Sequence, residues 1–351
     1  MRCKELITLA VSLLVLFSCA PQDRYVSFSG YAQGGTYTVK LNLNGRNGMI
    51  KVKPEVIRDS VEVILHNIDN SLSGYNRNSL LSTFNAGMPI VPDDLFVDIY
   101  EKAYGFYMET DGVLDVASAP LFDIWGFGFK SGEMPDDSKV IETLAFSGMK
   151  RLSNDIRSAA QDGTLTGAEL LLNDGPVAPK LNYNAIAQGY SCDVVAAYLY
   201  SLGVKDMMVD IGEIFYDGRN PSGKPWTIGI DRPADGNNAI GADLQGIFRI
   251  PSGAYGVVTS GNYRKYYIRD GKKYAHTIDP RTGYPVTHNL LSATVLASDA
   301  TSADAYATYC MVVGLEEAKE FLSSREDLEG CLVYDEDGEF RTWTSSGFVL
   351  E

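Results

Sequence analysis

The amino-acid sequence predicts an α+β fold, a single mixed domain in which antiparallel sheets pack against helices. Strand patterns with alternating apolar and polar residues occur in consecutive runs separated by Asp-Gly pairs, which is typical of antiparallel hairpins. Helical periodicity recurs between these runs rather than after each strand, which disfavours an alternating parallel βαβ fold. Because 45% of the 351 residues are hydrophobic, the chain can bury a substantial core.

The first segment, residues 1–19, has the pattern of a lipoprotein signal peptide. A basic start precedes an apolar run from Leu6 to Phe17, which is too short for an ordinary membrane-spanning helix but has the size of a signal-peptide core. The run ends in LFSC, which resembles the bacterial lipobox, with Cys19 as the lipidated first residue of the mature protein. A plain secretory signal is the alternative. With the lipobox, we expect a lipid-anchored protein of the bacterial cell envelope, on the periplasmic side of a membrane.

Residues 20–351 are interpreted as one folded domain that begins with strands. The pair Gly34-Gly35 indicates a turn or a close backbone approach to a ligand. Apolar residues repeat at helical spacing over residues 54–72, and a second helix is predicted after Pro92.

The middle of the chain is less regular. Residues 153–180 have weak periodicity and several turn signals, which predict short strands and loops. A third helix is predicted over about residues 185–202, with Gly203 at its end.

The last third alternates hairpins with a strand and a helix. Asp270-Gly271 and Asp337-Gly338 each separate two strand patterns, so both mark hairpins. Between them, residues 292–298 predict a strand and residues 301–314 predict a helix.

Composition restricts the function classes. There are 45 acidic and 30 basic residues, a net charge of −15, which argues against a general nucleic-acid binder because that function needs clustered cations. An anionic ligand would therefore need a local positive charge in its binding site, such as a metal ion. Cys192, Cys310 and Cys331 lack the Cys-x-x-Cys spacing, so we predict buried packing residues rather than disulfides or a zinc site.

His276 is one of three histidines and lies just before residues 278–283, IDPRTG, which predict a sharp turn. A neutral imidazole can accept a proton near neutral pH. From the residues alone, a catalytic base and a structural histidine at a hairpin end both remain open. His66 lies off the apolar face of its predicted helix and is predicted to be solvated, while His288 is predicted to be structural.

Asp304 and Thr308 are four residues apart in a predicted helix, so their side chains lie on one face. Carboxylate, carbonyl and hydroxyl oxygens are ligands that Mg²⁺ prefers. Ala185 opens another helix and offers a backbone carbonyl, and Gly189 allows tight approach there. An ordinary exposed helix face and an ordinary helix start are the alternatives.

Seven stretches, in order and over nearly all of the mature chain, resemble the ApbE family of FAD:protein FMN transferases. The resemblance implies an ApbE-like, T-fold-related domain. It also implies binding of FAD and Mg²⁺, transfer of FMN to a Ser or Thr hydroxyl of an exported redox protein, and release of AMP. The stretches are GGTYTVK, LSGYNRNSLLSTFN, TDGVLDVASAPLFDIWGFG, NAIAQGYSCD, VTSGNYRKYY, HTIDPRTGYPVTHN and SADAYAT.

The resemblance assigns roles to individual residues. It implies that the Ala185 carbonyl, Asp304 and Thr308 hold the metal. It implies that His276 is the general base or orients the acceptor hydroxyl, with Asp279 supporting the turn. The positions that it implies for FAD binding are Gly34, Tyr75, Val113, Leu114, Asp115, Asn182, Gln188 and Ile278.

Three departures from the family pattern are visible. Gly34 stands where the family has Met, which removes a side chain expected over the cofactor. The segment at Gly212-Glu213 is one glycine short, which puts that turn in doubt. Asn182 and Gln188 stand where many members carry an acid and a Lys or Glu. These changes predict lower FAD affinity or altered turnover.

Transfer to a protein is the predicted reaction, and two alternatives compete with it. Water in place of the acceptor would make the protein a hydrolase that converts FAD to FMN and AMP, although an aromatic residue at the position of Tyr75 favours transfer. A non-catalytic FAD-binding lipoprotein is the alternative of another class. Residues 162–169, DGTLTGAE, resemble the acceptor motif of the family's targets but end in Glu, so we interpret them as coincidence.

Overall fold

A computed structural model gives the structure of the protein. The predicted leader, residues 1–19, and the Asp270-Gly271 turn lie outside the described residues. No helix in the described part is long and apolar enough to cross a membrane. The described ranges are 24–128, 134–160, 163–173, 177–234, 241–262, 266–269 and 272–351, with the side chains of 266–269 and 272–275 left out.

The strands lie near the start of the described chain, over residues 25–49, and again from residue 207 onward. They are β1 Tyr25–Ala32, β2 Gly35–Asn42, β3 Asn44–Gly45, β4 Gly48–Met49, β5 Met207–Asp210, β6 Ile214–Asp217, β7 Thr227–Asp231, β8 Leu244–Arg249, β9 Tyr255–Gly261, β10 Tyr266–Arg269, β11 Lys272–Ala275, β12 Ile278–Asp279, β13 Tyr284–Pro285, β14 Leu290–Ala297, β15 Glu329–Glu336 and β16 Glu339–Thr344.

Within the described residues, eight strands form one sheet in the order β1-β2-β5-β6-β9-β14-β15-β16. Every neighbouring pair is antiparallel. The remaining strands form the two-stranded pairs β3-β4, β7-β8, β10-β11 and β12-β13. The predicted α+β class with antiparallel sheets is confirmed.

The helices lie in two stretches of the described chain, between β4 and β5 and between β14 and β15. They are α1 Pro54–Leu72, α2 Leu80–Asn85, α3 Asp94–Glu109, α4 Ala119–Ile124, α5 Asp137–Ala145, α6 Ile156–Ala159, α7 Gly167–Leu170, α8 Ala187–Ser201, α9 Ala300–Val313 and α10 Leu315–Ser324.

Apolar clusters pack on both faces of the sheet. The largest joins α3 and α9 to strand β14, and a second joins α1 and α8 to strands β2 and β5. A third lies around the β7-β8 pair, where the rings of Phe248 and Phe348 stack at 3.8 Å. Helix α9 is buried on nearly every side, as expected of a helix that is apolar all round.

Local sequence signals explain most of these bounds. The α1 range coincides with the predicted 54–72, and Asp93 caps α3 by accepting a hydrogen bond from Phe96 N at 2.8 Å. Asp337 and Gly338 have φ of 56° and 83°, which matches a two-residue hairpin turn of the predicted kind.

The predicted short strands over residues 153–180 are wrong for the described part of that segment. It contains α6, α7 and single bridges such as Leu152 with Leu171. Thr166 and Glu169 form a reciprocal capping box that starts α7. Thr166 thus has a structural role as a helix cap. This role is consistent with our interpretation that the resemblance of DGTLTGAE to an acceptor motif is a coincidence.

Candidate active site

A cleft of about 1200 Å³ opens beside α1, the start of α8, one face of α9 and the segment before β12. All but one of the sequence-predicted site residues line it. The exception is Asp279, whose neighbour Pro280 reaches the cleft. The predicted residues that line the cleft are Gly34, Tyr75, Val113, Leu114, Asp115, Asn182, Ala185, Gln188, His276, Ile278, Asp304 and Thr308.

Helices α8 and α9 approach each other closely at Gly189. Its backbone N–H donates to Asp304 Oδ2 at 3.1 Å. A Cβ at this position would lie 2.2 Å from the Ala300 carbonyl oxygen and 2.9 Å from the Asp304 Cβ. The contact therefore requires glycine, and it brings the start of α8, which follows Ala185, beside the carboxylate of α9.

Asp304 is a buried carboxylate, with 5% of the residue exposed. Burial is the largest effect on its pKa, which rises to about 8, and the nearby Asp193 adds to the rise while the Gly189 N–H opposes it. Thr308 follows one helical turn later, with its Oγ1 3.4 Å from Ser260 Oγ on β9. Asp304 and Thr308 therefore offer oxygen atoms on one face of α9, as predicted.

Asp193, which no sequence pattern singled out, fixes the start of α9. Its carboxylate accepts hydrogen bonds from Ala300 N at 2.9 Å and Thr301 N at 2.8 Å, and also from the Thr301 hydroxyl. An acidic group at a helix N-terminus is favourable because backbone N–H groups point at it. Burial nonetheless raises the Asp193 pKa to about 6. This anchor holds α9, and with it Asp304, against α8.

The cleft is acidic. Among its described lining residues, there are carboxylates but no Lys or Arg. Also within the described residues, no three His, Cys, Asp or Glu side chains come together as a metal-binding group. The predicted ligand side chains in the cleft, Asp304 and Thr308, offer oxygen atoms, which are the ligands that Mg²⁺ prefers, whereas zinc sites are commonly built from Cys and His. The lining carboxylates are those of Glu62, Asp69, Asp115, Glu213 and Asp304.

His276 lines the cleft and is half-buried. The next residue, Thr277, is held on both sides, because its hydroxyl donates to Asn262 Oδ1 at 2.6 Å and its carbonyl accepts from Val286 N at 3.0 Å. The backbone that presents the imidazole is therefore rigidly placed.

The turn after His276 is supported by its own side chains. The Asp279 carboxylate accepts hydrogen bonds from the backbone N–H of Arg281 at 2.9 Å and from the Arg281 guanidinium. The backbone carbonyl of Asp279 accepts from Gly283 N at 2.8 Å. Trp125 Nε1 donates to the Gly283 carbonyl at 2.7 Å. Asp279 thus stabilises the turn and lies outside the cleft lining, as its predicted supporting role requires.

Tyr75 lies on the loop after α1 and is 67% exposed. Its hydroxyl accepts a hydrogen bond from Asn184 Nδ2 at 3.2 Å. Asn182 is nearly buried, and its Oδ1 accepts from Asn184 N at 2.9 Å. These bonds join Tyr75 to the segment that carries Ala185, one of the predicted metal ligands.

Asp115 lines the cleft, and its side chain also holds the surrounding loop in place. Its carboxylate accepts from Ala117 N at 2.9 Å and Met149 N at 3.0 Å. Burial raises its pKa to about 6 despite these two bonds. The carboxylate therefore fixes the loop that presents Val113 and Leu114 to the cleft.

Gly34 and Gln33 form the two-residue turn between β1 and β2, with φ of 81° and 52°. A Cβ on Gly34 would meet no atom within 4 Å. The predicted turn is therefore present, and the cleft is open where the family pattern has a larger residue.

The turn between β5 and β6 closes with one glycine. Gly212 has φ of 92°, its N–H donates to Asp210 Oδ1 at 3.1 Å, and Ile211 N donates to the Glu213 carbonyl at 2.9 Å. Gln188 Nε2 donates to the Ile211 carbonyl at 3.1 Å, which ties α8 to this turn. One glycine is thus sufficient to close this turn.

Sequence reasoning missed several lining residues. His66 is exposed, as predicted, but it also lies at the cleft with Glu62 and Asp69. Their spacing on α1 indicates one shared face. Nothing in the pattern indicates that this face borders a cleft, and the same applies to Tyr31 and Ser260.

Gly189→Ala should both destabilise the protein and weaken metal binding at the predicted site. The added methyl must push α8 away from α9, and overpacking of this kind costs about 1–3 kcal/mol. We expect urea denaturation to show a loss of that size in the free energy of unfolding, and metal titration to show a higher half-saturating Mg²⁺ concentration.

Gly105→Ala is the matched control. Gly105 also lies in a helix, α3, but a Cβ there would meet no atom within 4 Å. Replacing it should stabilise the protein by roughly 0.4–1 kcal/mol and leave Mg²⁺ binding unchanged. Equal stability of the two variants would contradict the close approach at Gly189.

Comparison with known proteins adds independent findings. A model of the ApbE family matches residues 34–332. The FAD:protein FMN transferase of Haemophilus influenzae is 33% identical and covers 98% of this chain and 97% of its own. The enzyme of the same name from Vibrio cholerae is 31% identical, with 96% of each chain covered.

Solved structures agree. The flavin transferase ApbE from Vibrio cholerae has a TM-score of 0.74 and 29% identity, over 92% of this chain and 98% of that one. The apo form of the Pseudomonas stutzeri flavinyl transferase ApbE has a TM-score of 0.74 and 30% identity, over 93% and 96% of the two chains.

Proposed function

The chain belongs to the ApbE family, and we propose that it is a Mg²⁺-dependent transferase that moves FMN from FAD to a Ser or Thr hydroxyl of an exported redox protein. The observation that carries this proposal is that one cleft is lined by His276, the proposed proton acceptor, and by Asp304 and Thr308, the proposed metal ligands. Full-length relatives named FAD:protein FMN transferase support the same reaction.

The electrostatics of the cleft support the metal. FAD carries an anionic pyrophosphate. The described lining residues include carboxylates but no Lys or Arg that could neutralise this charge. The ligands would be Asp304, Thr308 and the Ala185 carbonyl. Burial raises the pKa of Asp304 and so disfavours its charged form, which a cation bound beside it would stabilise. Bound Mg²⁺ would neutralise phosphate charge and hold the pyrophosphate in place.

The proposed reaction is an in-line displacement at the phosphorus of the FMN half. The acceptor hydroxyl oxygen forms the new P–O bond, and the bond from that phosphorus to the bridging oxygen breaks. AMP leaves with the bridging oxygen and its electron pair. His276 takes the hydroxyl proton, and the rigid segment at Thr277 holds the imidazole in position for that step.

Access of water decides between transfer and hydrolysis in this proposal. Tyr75 places an exposed ring beside Asn184, next to Ala185. A ring there can cover the reacting phosphate once FAD is bound and so leave room for a protein hydroxyl rather than bulk water. Hydrolysis to FMN and AMP remains the competing reaction of the same site.

Export is part of the proposal. Residues 1–19 would direct the chain to the cell envelope, with lipid on Cys19 holding it at a membrane, on the side where exported acceptor proteins fold. Labelling with a fatty-acid precursor should mark wild-type protein and not Cys19→Ser. No label on either protein would leave only the plain secretory signal, and equal label on both would contradict Cys19 as the lipidated residue.

The function is tested with purified protein, FAD, Mg²⁺ and an acceptor domain. We expect equal amounts of AMP and of an acceptor that carries flavin fluorescence in a denaturing gel. AMP with free FMN and an unlabelled acceptor would show a hydrolase, and FAD bound without AMP would show a carrier. Acceptor lacking the target hydroxyl is the matched control, and it should remain unlabelled.

A further inference from the structure

Tyr31 is the most exposed large apolar side chain of the described residues, at 74%. It nevertheless lines the cleft, together with Gly34 of the adjoining turn. Its cross-strand partner is Thr36, and Ser29 precedes it on the same strand face. Both neighbours are small, so among the described residues no side chain of its own hairpin covers the ring.

The strand that carries Tyr31 is fixed in place. A Cβ at Gly30 would lie 2.5 Å from the ring of Tyr37, so that buried ring packs against the Gly30 backbone. The Tyr37 hydroxyl donates to Glu62 of α1 at 3.2 Å. At the tip of the hairpin, Gln33 Nε2 donates to the hydroxyl of Ser191 on α8. The hairpin is therefore tied to α1 and α8, two of the helices that border the cleft.

A rigidly held and exposed aromatic ring is suited to bind a flat ligand. Ring stacking needs an uncovered face, and a fixed backbone lowers the entropy lost on binding. The open space at Gly34 leaves room for a planar group beside the hairpin. FAD, the substrate of the proposed function, has two planar ring systems, the isoalloxazine and the adenine.

We propose that Tyr31 stacks on a planar ring of the dinucleotide substrate and sets the affinity for FAD. The proposal rests on the proposed function and adds a binding residue to it. Tyr31 takes no part in the bond-making step, so it governs binding rather than the rate constant of transfer.

The test compares Tyr31→Ala with Tyr31→Phe in FAD titrations followed by flavin fluorescence, with Mg²⁺ present. Stacking of a base on an aromatic side chain contributes about 1–3 kcal/mol, so Tyr31→Ala should raise the FAD Kd about tenfold. Tyr31→Phe keeps the ring and should stay within about twofold of wild type. FMN and ADP as competitors identify the ring, because FMN contains the isoalloxazine and ADP contains the adenine. The competitor that contains the stacked ring should bind Tyr31→Ala more weakly than wild type, and the other should bind both proteins equally.

Phe340→Ala is the matched control. Phe340 lies on β16, the other edge strand of the same sheet, and is 37% exposed. Its replacement should leave the FAD Kd unchanged, and circular dichroism should show that all three variants are folded.

Two results would overturn the proposal: an unchanged Kd for Tyr31→Ala, or a loss in Tyr31→Phe equal to that in Tyr31→Ala, which would assign the effect to the hydroxyl. Either result, with acceptor labelling by wild-type protein intact, removes only this inference. Failure of wild-type protein to bind FAD at all would remove the proposed function as well.

Discussion

Replacing Asp304 by Asn should lower kcat/KM for AMP release by about a thousandfold and remove saturable Mg²⁺ binding. Asp304 supplies the one carboxylate among the predicted metal ligands. Several kcal/mol of charge stabilisation on the transferring group depend on the metal, and each 1.4 kcal/mol is a factor of about ten. The measurements are AMP release by chromatography and metal binding by calorimetry.

The Asn variant separates charge from structure. Its side-chain oxygen can still accept the hydrogen bond that Gly189 N donates, whereas Asp304→Ala leaves this buried donor unpaired, at a cost of about 1–3 kcal/mol. Because burial disfavours the ionised Asp304, we expect Asp304→Asn to be at least as stable as wild type without Mg²⁺. Retained Mg²⁺-dependent turnover in Asp304→Asn would remove the metal assignment.

The local elements of this fold follow from local sequence. Apolar spacing predicts α1 with its observed bounds, and the Asp337-Gly338 pair predicts the last hairpin. These features depend on residues that are close in sequence, where periodicity and turn chemistry act directly. The segment 153–180 was mispredicted because its capping box outweighs a weak strand pattern.

The cleft depends on contacts between distant segments, and these could not be predicted from spacing. The Gly189 contact with Ala300 brings α8 and α9 together, yet its only sequence signal is a glycine within a helix. Resemblance to the ApbE family supplied the association of Ala185 with Asp304 and Thr308, and the structure places all three on one cleft.

Residues to which no sequence pattern assigned a role show the same limit. Alternation in β1 indicates that Tyr31 faces away from the core but not that it borders a cleft. Asp193 is only another acid in a helix until its bonds to the start of α9 are seen. The exposure of Tyr31 and the helix capping by Asp193 are local properties, whereas the position of these residues relative to a ligand depends on the whole fold.

His276→Ala should lower the rate of acceptor labelling by roughly 10²- to 10⁴-fold, the range expected when a general base is lost. Binding of FAD and Mg²⁺ should change little, because the predicted metal ligands lie on other segments. The pH profile should lose the limb that reflects ionisation of the imidazole, and added imidazole should restore part of the rate.

The size and kind of this loss distinguish a base from a group that only orients the acceptor. His276→Gln retains hydrogen bonding but accepts no proton, so a base predicts that Gln is as slow as Ala, whereas an orienting group predicts that Gln recovers most of the rate. His288→Gln is the control. His288 is not part of the cleft lining, and its ring Nε2 lies 2.9 Å from the carbonyl oxygen of Met311, which does line the cleft. That variant should keep wild-type turnover per folded molecule, so an equal loss in both histidine variants would indicate general destabilisation rather than lost proton transfer.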